Sequence, residues 1–394
     1  MTQNVSELPW IAADTTDLTE LQKAREQSWV AQSSRGLEVL TYEQGFEVLE
    51  HPELEKGPSF RRRLDDVGIV DGEIRDLWNL MLVNNEGEYR KKLRVPLASL
   101  FRPAQVAKLR VQVRTVVNEI LDEIENPESV DLMQELCWRV PPMMYCHLVS
   151  APVELAPTVA RLSDSILAPI LTADRDRRQE SVSAFMEGWD FVREHVEARR
   201  KDLGNDFTSV MIKQQIEGLL TEDQLLAEGM SILQASVDNT VHQMGNTFGM
   251  LLSEPARWQQ LLENPEAATS IIEEVIRLRP RFGTIFRYAP HQVIIDEQTI
   301  PADSFVYVSV RSAQRDARVF EDPDTYNIDR PAKRPLMFGA GPYNCLGQNL
   351  ARMEIEESLK AVAERFPGIR LTEEWTCHDT NAVTETVNLK VTLV

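Results

Sequence analysis

Cysteine is scarce here: Cys137, Cys146, Cys345 and Cys377 are the only four in 394 residues. They show no framework spacing, which excludes a disulfide scaffold and fits a reducing compartment. No apolar run approaches the roughly 18 residues that would suggest a membrane span. The opening stretch "MTQNVSELPWIAADTTDLTE" has neither a basic nor an apolar segment of the kind a secretory signal needs, so none is expected. Positive charge is also short, with 42 Lys and Arg against 62 Asp and Glu and a formal net charge of −20. That balance argues against general affinity for nucleic acid or anionic membrane. Repeats and low-complexity linkers are missing too. The expectation is a soluble cytoplasmic protein, a single domain over 1–394.

What is present is mostly helical periodicity. Hydrophobic residues make up 43% and charged residues 26% of the chain, an ordinary globular mixture. "AQVAKLRVQVRTVVNEILDEIE" and "SVSAFMEGWDFVREHVEARRKDL" repeat apolar residues at three- and four-residue intervals. "LTEDQLLAEGMSILQASVDNTVHQMGNTFGMLLSEPARW" keeps that pattern for over thirty residues, which predicts one long helix across the molecule, starting near Thr221. Strand signals are few: "HQVIIDEQTIPADSFVYVSV" (291–310) and the tail "TETVNLKVTLV". The fold class expected is mainly α with a small β region.

One stretch asks for a chemical explanation. In "FGAGPYNCLGQNLAR" (338–352), Cys345 sits among three glycines and is followed at once by a helical pattern. It has no partner for a disulfide and no nearby Cys or His for zinc. A lone thiolate in a tight glycine turn suits the axial ligand of one large, flat cofactor. Upstream, "EEVIRLRP" holds Glu274 and Arg277 in a Glu-x-x-Arg, and "SAQRDARVFEDPDTYNIDR" (312–330) lies between the two. "GEYRKKLRVPLASLFRP" (87–103) precedes them. The cysteine stretch matches Phe-Gly-x-Gly-x-x-x-Cys-x-Gly-x-x-x-Ala-Arg, and in order and spacing the four segments resemble the cytochromes P450. Glu274 to Cys345 is 71 residues and Asn239 to Glu274 is 35. The resemblance runs from about residue 35 onward.

It implies the P450 fold, with a long central helix over haem b and the cysteine loop on the proximal side. Cys345 would be the axial thiolate and metal ligand, and O2 the co-substrate. A thiolate ligand donates electron density that favours O–O cleavage. Gly339, Gly341 and Gly347 would let the backbone approach the ring and aim N–H groups at the sulfur. Phe338 would shield the sulfur from water. Arg90, Arg94 and Arg287 would meet the haem propionates. Tyr343 stands where relatives often carry His or Arg, and a phenol still donates one hydrogen bond. Arg90, in "RKKLR", also reads as part of a solvated basic face. Glu274 and Arg277 would form a buried structural ion pair.

The oxygen-binding stretch of the family departs here. Ala-Gly-x-acid-Thr-Thr/Ser becomes Ala235-Ser236-Val237-Asp238-Asn239-Thr240. Asp238 keeps the acid, while an amide replaces the alcohol at Asn239. An amide orients water but relays a proton less readily than a hydroxyl. On a continuous helix Ser236, Asn239 and Gln243 share a face, so Ser236 would return a hydroxyl, and His242 would pair with Asp238 at i+4.

The resemblance also places the substrate pocket, at Met81, Leu82, Val83, Ile166, Ile170, Ile285, Phe286 and Val387. Amides at Asn84, Asn85, Gln234, Asn239 and Gln243 lie nearby. Amides beside an apolar cavity suit a substrate with its own amides. Stretches such as "ASVDNTVHQ" resemble actinobacterial P450s that tailor or couple tryptophan-containing cyclodipeptides. The alternatives are a conventional hydroxylase of a terpenoid, fatty acid or aromatic, a haem-binding protein without oxygenase activity, and a peroxide-driven enzyme. Electrons would come from a ferredoxin and its NAD(P)H-dependent reductase, steered by Lys91, Lys92, Arg102, Lys333, Arg334 and Arg352.

Overall fold

The structure, a computed structural model, describes residues 8–394. Its chain contacts divide it into two compact units, each assembled from separate segments.

The first unit holds the residues up to Ser59, Asn246–Cys345 and Thr376–Val387. Its four-stranded sheet runs Val30–Ser33, Gly36–Val39, Ser304–Ser309, Thr284–Ala289. An early hairpin thus pairs in parallel with a strand from far along the chain, Leu37 opposite Val306. The sequence pattern reveals the late strand but not the hairpin. Thr284–Ala289 pairs antiparallel with Ser304–Ser309, setting Arg287 opposite Val306. The same unit holds the Ala268–Leu278 helix, whose Glu274 and Arg277 are both buried.

The second unit holds Phe60–Gly245, Leu346–Trp375 and Asn388–Val394. Its helices Ala156–Thr172 and Arg178–Arg199 pack on one another, and Glu222–Ala235 packs on both. Gln348–Arg365, the helix after the cysteine loop, packs on Arg110–Asp122. Trp78, fully buried, stacks on Phe185 at 4.7 Å between ring centroids and anchors the Glu73–Asn79 helix. The tail strand Lys390–Thr392 sits between Val130–Asp131 and Arg370–Leu371.

The long central helix is not continuous, which corrects the sequence expectation. Thr221 opens it with a capping box to Gln224, and it ends at Ala235; a second helix runs Asp238–Leu252. At the break the Ser236 hydroxyl donates to the Ile232 carbonyl at 2.6 Å. Such back-bonding to the preceding turn bends helices. The second helix restarts with the Thr240 and Val241 amides both donating to the Val237 carbonyl.

Candidate active site

The cysteine loop is built by two glycines in left-handed backbone. Gly339 has φ +69° and Gly341 φ +59°, conformations that strain any side chain. A Cβ on Gly341 would also stand 3.3 Å from the Cα of Glu50. The turns bring the chain back so that the Cys345 amide donates to the Phe338 carbonyl at 2.8 Å. Cys345 is exposed, unlike the other three cysteines, and forms no disulfide. Cys137 and Cys146 are buried thiols whose ionisation burial opposes, Cys146 being pushed up to about 12.

Arg287 projects from its strand into the interior of the same unit. Its guanidinium donates to the carbonyls of Phe286 and Leu49, each at 3.2 Å, and lies 4.9 Å from the Tyr343 ring centroid. Phe338 and Tyr343 are half-buried. Gly347 has an ordinary φ of −79°, and no atom lies within 4 Å of the Cβ position it would carry. The turn therefore does not require this glycine, and its missing side chain leaves room beside the loop.

These groups fit a haem. An exposed thiol on a loop closed by a backbone hydrogen bond would be the ligand, and a buried guanidinium beside a phenol suits a carboxylate edge. Haem held through thiolate supplies the electron density for O–O cleavage. The chain's part would be to fix the sulfur and neutralise the carboxylates.

The second unit carries the Ala-Ser-Val-Asp-Asn-Thr stretch (235–240). Asp238 is fully buried and lies 3.5 Å from His242 Nε2, as the i+4 spacing predicts. Trp138 meets that imidazole edge-on at 5.7 Å, packing it in place. Thr240 and Gln243 are buried, whereas Ala235 is exposed. Asn239 Oδ1 and Gln234 Nε2 are both buried without a hydrogen-bond partner. The Ser236 hydroxyl spends its proton on Ile232, so it replaces the missing alcohol only as an acceptor.

Other expected residues are placed differently. Arg90 is not on a solvated face: it is buried and donates to the Leu82 carbonyl at 2.6 Å. Arg94 is half-buried on the same Gly87–Leu100 helix. Met81, Ile166 and Ile170 are packed in the core, not along an accessible wall. Phe286 alternates with Ile285 and Arg287 on its strand and stacks on Tyr307 at 5.0 Å, so it faces away from them. Val387 is exposed, Ile285 and Val83 are half-buried, and Leu82 is nearly covered. The Asn84 amide donates to the Trp78 carbonyl, and that of Asn85 to Asn79 and Met81. These two amides shape a turn, which takes both donors of Asn85 and one of Asn84.

One group escaped the sequence reading. Glu228 is completely buried, and its Oε1 accepts the Leu82 amide at 2.9 Å. Burial pushes its carboxyl up to about 8, against the opposing pulls of the Leu82 N–H and the Arg90 charge. A lone glutamate in an amphipathic helix carries no sequence signal of such a position.

Comparison with known proteins decides the family. The model described as Cytochrome P450 matches residues 154–392. Luteothin monooxygenase of Streptomyces thioluteus is 30% identical over 353 residues, covering 89% of this chain and 86% of the relative. The chain belongs to the cytochrome P450 family. Nocardicin C N-oxygenase of Nocardia uniformis subsp. tsuyamanensis, another relative of this P450, is 30% identical over 283 residues, 71% of this chain and 70% of its own. Among solved structures, CalO2 superimposes with a TM-score of 0.87 at 21% identity over 95% of each chain. CxnD, described as a P450 enzyme for C–S bond formation in chuangxinmycin biosynthesis, gives 0.85 at 23% over 98% of each. At that identity these structures establish the fold. The P450 is a monooxygenase of the bacterial secondary-metabolism type, with haem, cysteine thiolate and O2 as its chemistry. Among the described residues, no helix is long and apolar enough to cross a membrane.

Proposed function

We propose that this P450 tailors a small amide-bearing natural product, a tryptophan-containing cyclodipeptide, by oxidative coupling or hydroxylation, acting as one cytoplasmic catalytic domain. One observation carries the reading. Gln234 Nε2 and Asn239 Oδ1 flank the helix break as a buried donor and a buried acceptor, neither with a partner. A cyclodipeptide amide presents a carbonyl acceptor and an N–H donor side by side, the complement of that pair. Buried polar atoms left unmatched are costly, so a ligand that matches them gains what the free protein lacks.

The site residues take these roles in the proposal. Cys345 ligates haem, with Phe338, Gly339, Gly341 and Gly347 shaping its loop. Arg287 and Tyr343, with Arg94, meet the carboxylates. Asp238 with His242 holds a proton beside the Asn239 amide. Arg90 is better accounted for by its bond to Leu82 than by a haem contact.

A ferredoxin with an NAD(P)H-dependent reductase supplies electrons. The exposed Lys92, Arg102 and Lys333 favour an acidic donor. Lys91 and Arg334 favour it less, being paired with Glu88 and Glu50 at 2.6 Å each. Turnover with a surrogate ferredoxin system tests the reading: product is expected from tryptophan cyclodipeptides and not from terpenoids, fatty acids or simple phenols. Product from those other classes alone would overturn it.

Asn239→Thr restores a hydroxyl at the relay position. The expected result is a several-fold rise in hydroxylated over coupled or desaturated product, read by mass spectrometry of the product mixture. An unchanged profile would mean that the amide is neutral.

A further inference from the structure

One face of the Glu222–Ala235 helix carries polar side chains through the interior. At about 100° per residue, Gln224, Glu228, Ser231 and Ala235 fall on a single stripe. Its outer end is half-buried: Gln224 donates to the Tyr89 hydroxyl at 2.8 Å. One turn inward, Glu228 uses Oε1 on the Leu82 amide, while its Oε2 is buried with no hydrogen-bond partner. The next turn brings the Ser231 hydroxyl, whose oxygen is also buried without a partner. The stripe then reaches Ala235, which is exposed, at the start of the Ala-Ser-Val-Asp-Asn-Thr stretch.

Two unpartnered buried polar groups at i and i+3 on one helix face are suited to share a bound water, since each would otherwise bear its full desolvation cost. We propose that Glu228 and Ser231 hold an internal water between them, and that Glu228 is a proton donor feeding the oxygen-activating stretch along this stripe. The inference rests on the P450 reading and extends it, because it assigns a proton source that the family's acid and alcohol pair does not include. P450 monooxygenation consumes two protons and two electrons per O2, one oxygen atom entering product and the other leaving as water. The Glu228 carboxylic acid gives its proton to the adjacent water, which passes one on past Ser231 toward Ala235. The carboxylate is reprotonated from solvent through the Tyr89 and Gln224 end.

The position suits the task. Carboxylic acid is the dominant form at neutral pH because burial outweighs the pulls of Arg90 and the Leu82 N–H. The charged and titratable groups acting there are Arg90 and the Tyr89 phenol, both on the Gly87–Leu100 helix. Ser236 gives its own proton to Ile232 and Asn239 has none to relay as a hydroxyl would, so a donor on the helix before the break restores what the departure removes.

Glu228→Gln is the informative variant, because a glutamine oxygen still accepts the Leu82 amide while the side chain no longer yields a proton. Two readouts are taken on the haem-loaded protein. Infrared difference spectroscopy is expected to show a protonated carboxyl band that shifts in D2O, fades as pH rises through about 8, and is absent in the variant. The fraction of electrons recovered as product instead of peroxide is expected to fall over the same pH range in the parent protein. In Glu228→Gln it should be several-fold lower and independent of pH there, and Ser231→Ala should lower it while keeping the carboxyl band. A parent carboxyl band with unchanged coupling in Glu228→Gln would overturn the donor role and leave the P450 reading intact. Failure of the parent protein to make product from any substrate would instead count against the proposed function.

Discussion

Replacing Cys345 with serine is expected to give a folded protein that has lost the thiolate signature and all ferredoxin-supported turnover. The fold should survive because Cys345 is exposed, lies in a loop and contributes its backbone, not its side chain, to the bond with Phe338. A serine keeps that N–H and adds no bulk. What disappears is the soft anionic ligand, and with it the electron donation that sets this chemistry apart from that of histidine-ligated haems. Circular dichroism should match the parent, while the carbon monoxide complex of the reduced protein should lose the absorption band of thiolate ligation. A serine variant with full activity would remove Cys345 from the reaction.

Arg277→Ala should produce the largest loss of stability. Arg277 and Glu274 are both buried and joined by two bonds of 2.7 Å, a fork-to-fork pair. The same guanidinium donates to the carbonyls of Gln314, Pro323 and Thr325, and Glu274 Oε1 also accepts from the Asn327 amide and from Arg330. One side chain thus ties the helix to the segment leading into the cysteine loop. Removing one partner of a buried ion pair costs about 3–5 kcal/mol, a large share of the roughly 5–15 kcal/mol that holds a native protein together. The melting temperature should fall by about 5 °C. Arg277→Lys should rescue little, because an ammonium has no planar fork to satisfy the carboxylate and the carbonyls together. A change below about 1 kcal/mol would mean that the network is redundant.

The parts of this site visible in the sequence are those whose chemistry is local. The glycine and cysteine spacing of 338–352 encodes a turn that closes on itself through Gly339 and Gly341, and the structure closes it there. Glu-x-x-Arg lies on one helix, so its pairing follows from i+3 geometry. The same holds for Asp238 and His242.

What the sequence concealed depends on distant partners. Arg90 reads as a cation for a haem propionate, or as part of a solvated basic face, and only Leu82 and the buried Glu228 reveal it as an interior group. Asn84 and Asn85 read as ligand amides until the carbonyls of a neighbouring turn claim them. The helix break escaped because apolar periodicity continues straight through Ser236 and Val237, where the first helix ends at Ala235 and the next begins at Asp238. The hairpin at Val30–Val39 is recognisable only once its parallel partner at Ser304–Ser309 is known.

The most direct test of the central claim is a spin-state titration of the ferric, haem-loaded protein, read as the absorption shift that follows displacement of axial water. Tryptophan cyclodipeptides should produce a saturable shift, and terpenoids, fatty acids and simple phenols should not. Gln234→Leu should weaken the cyclodipeptide response about tenfold, the equivalent of one net hydrogen bond. Tight responses to terpenoids or fatty acids, indifferent to position 234, would contradict the account.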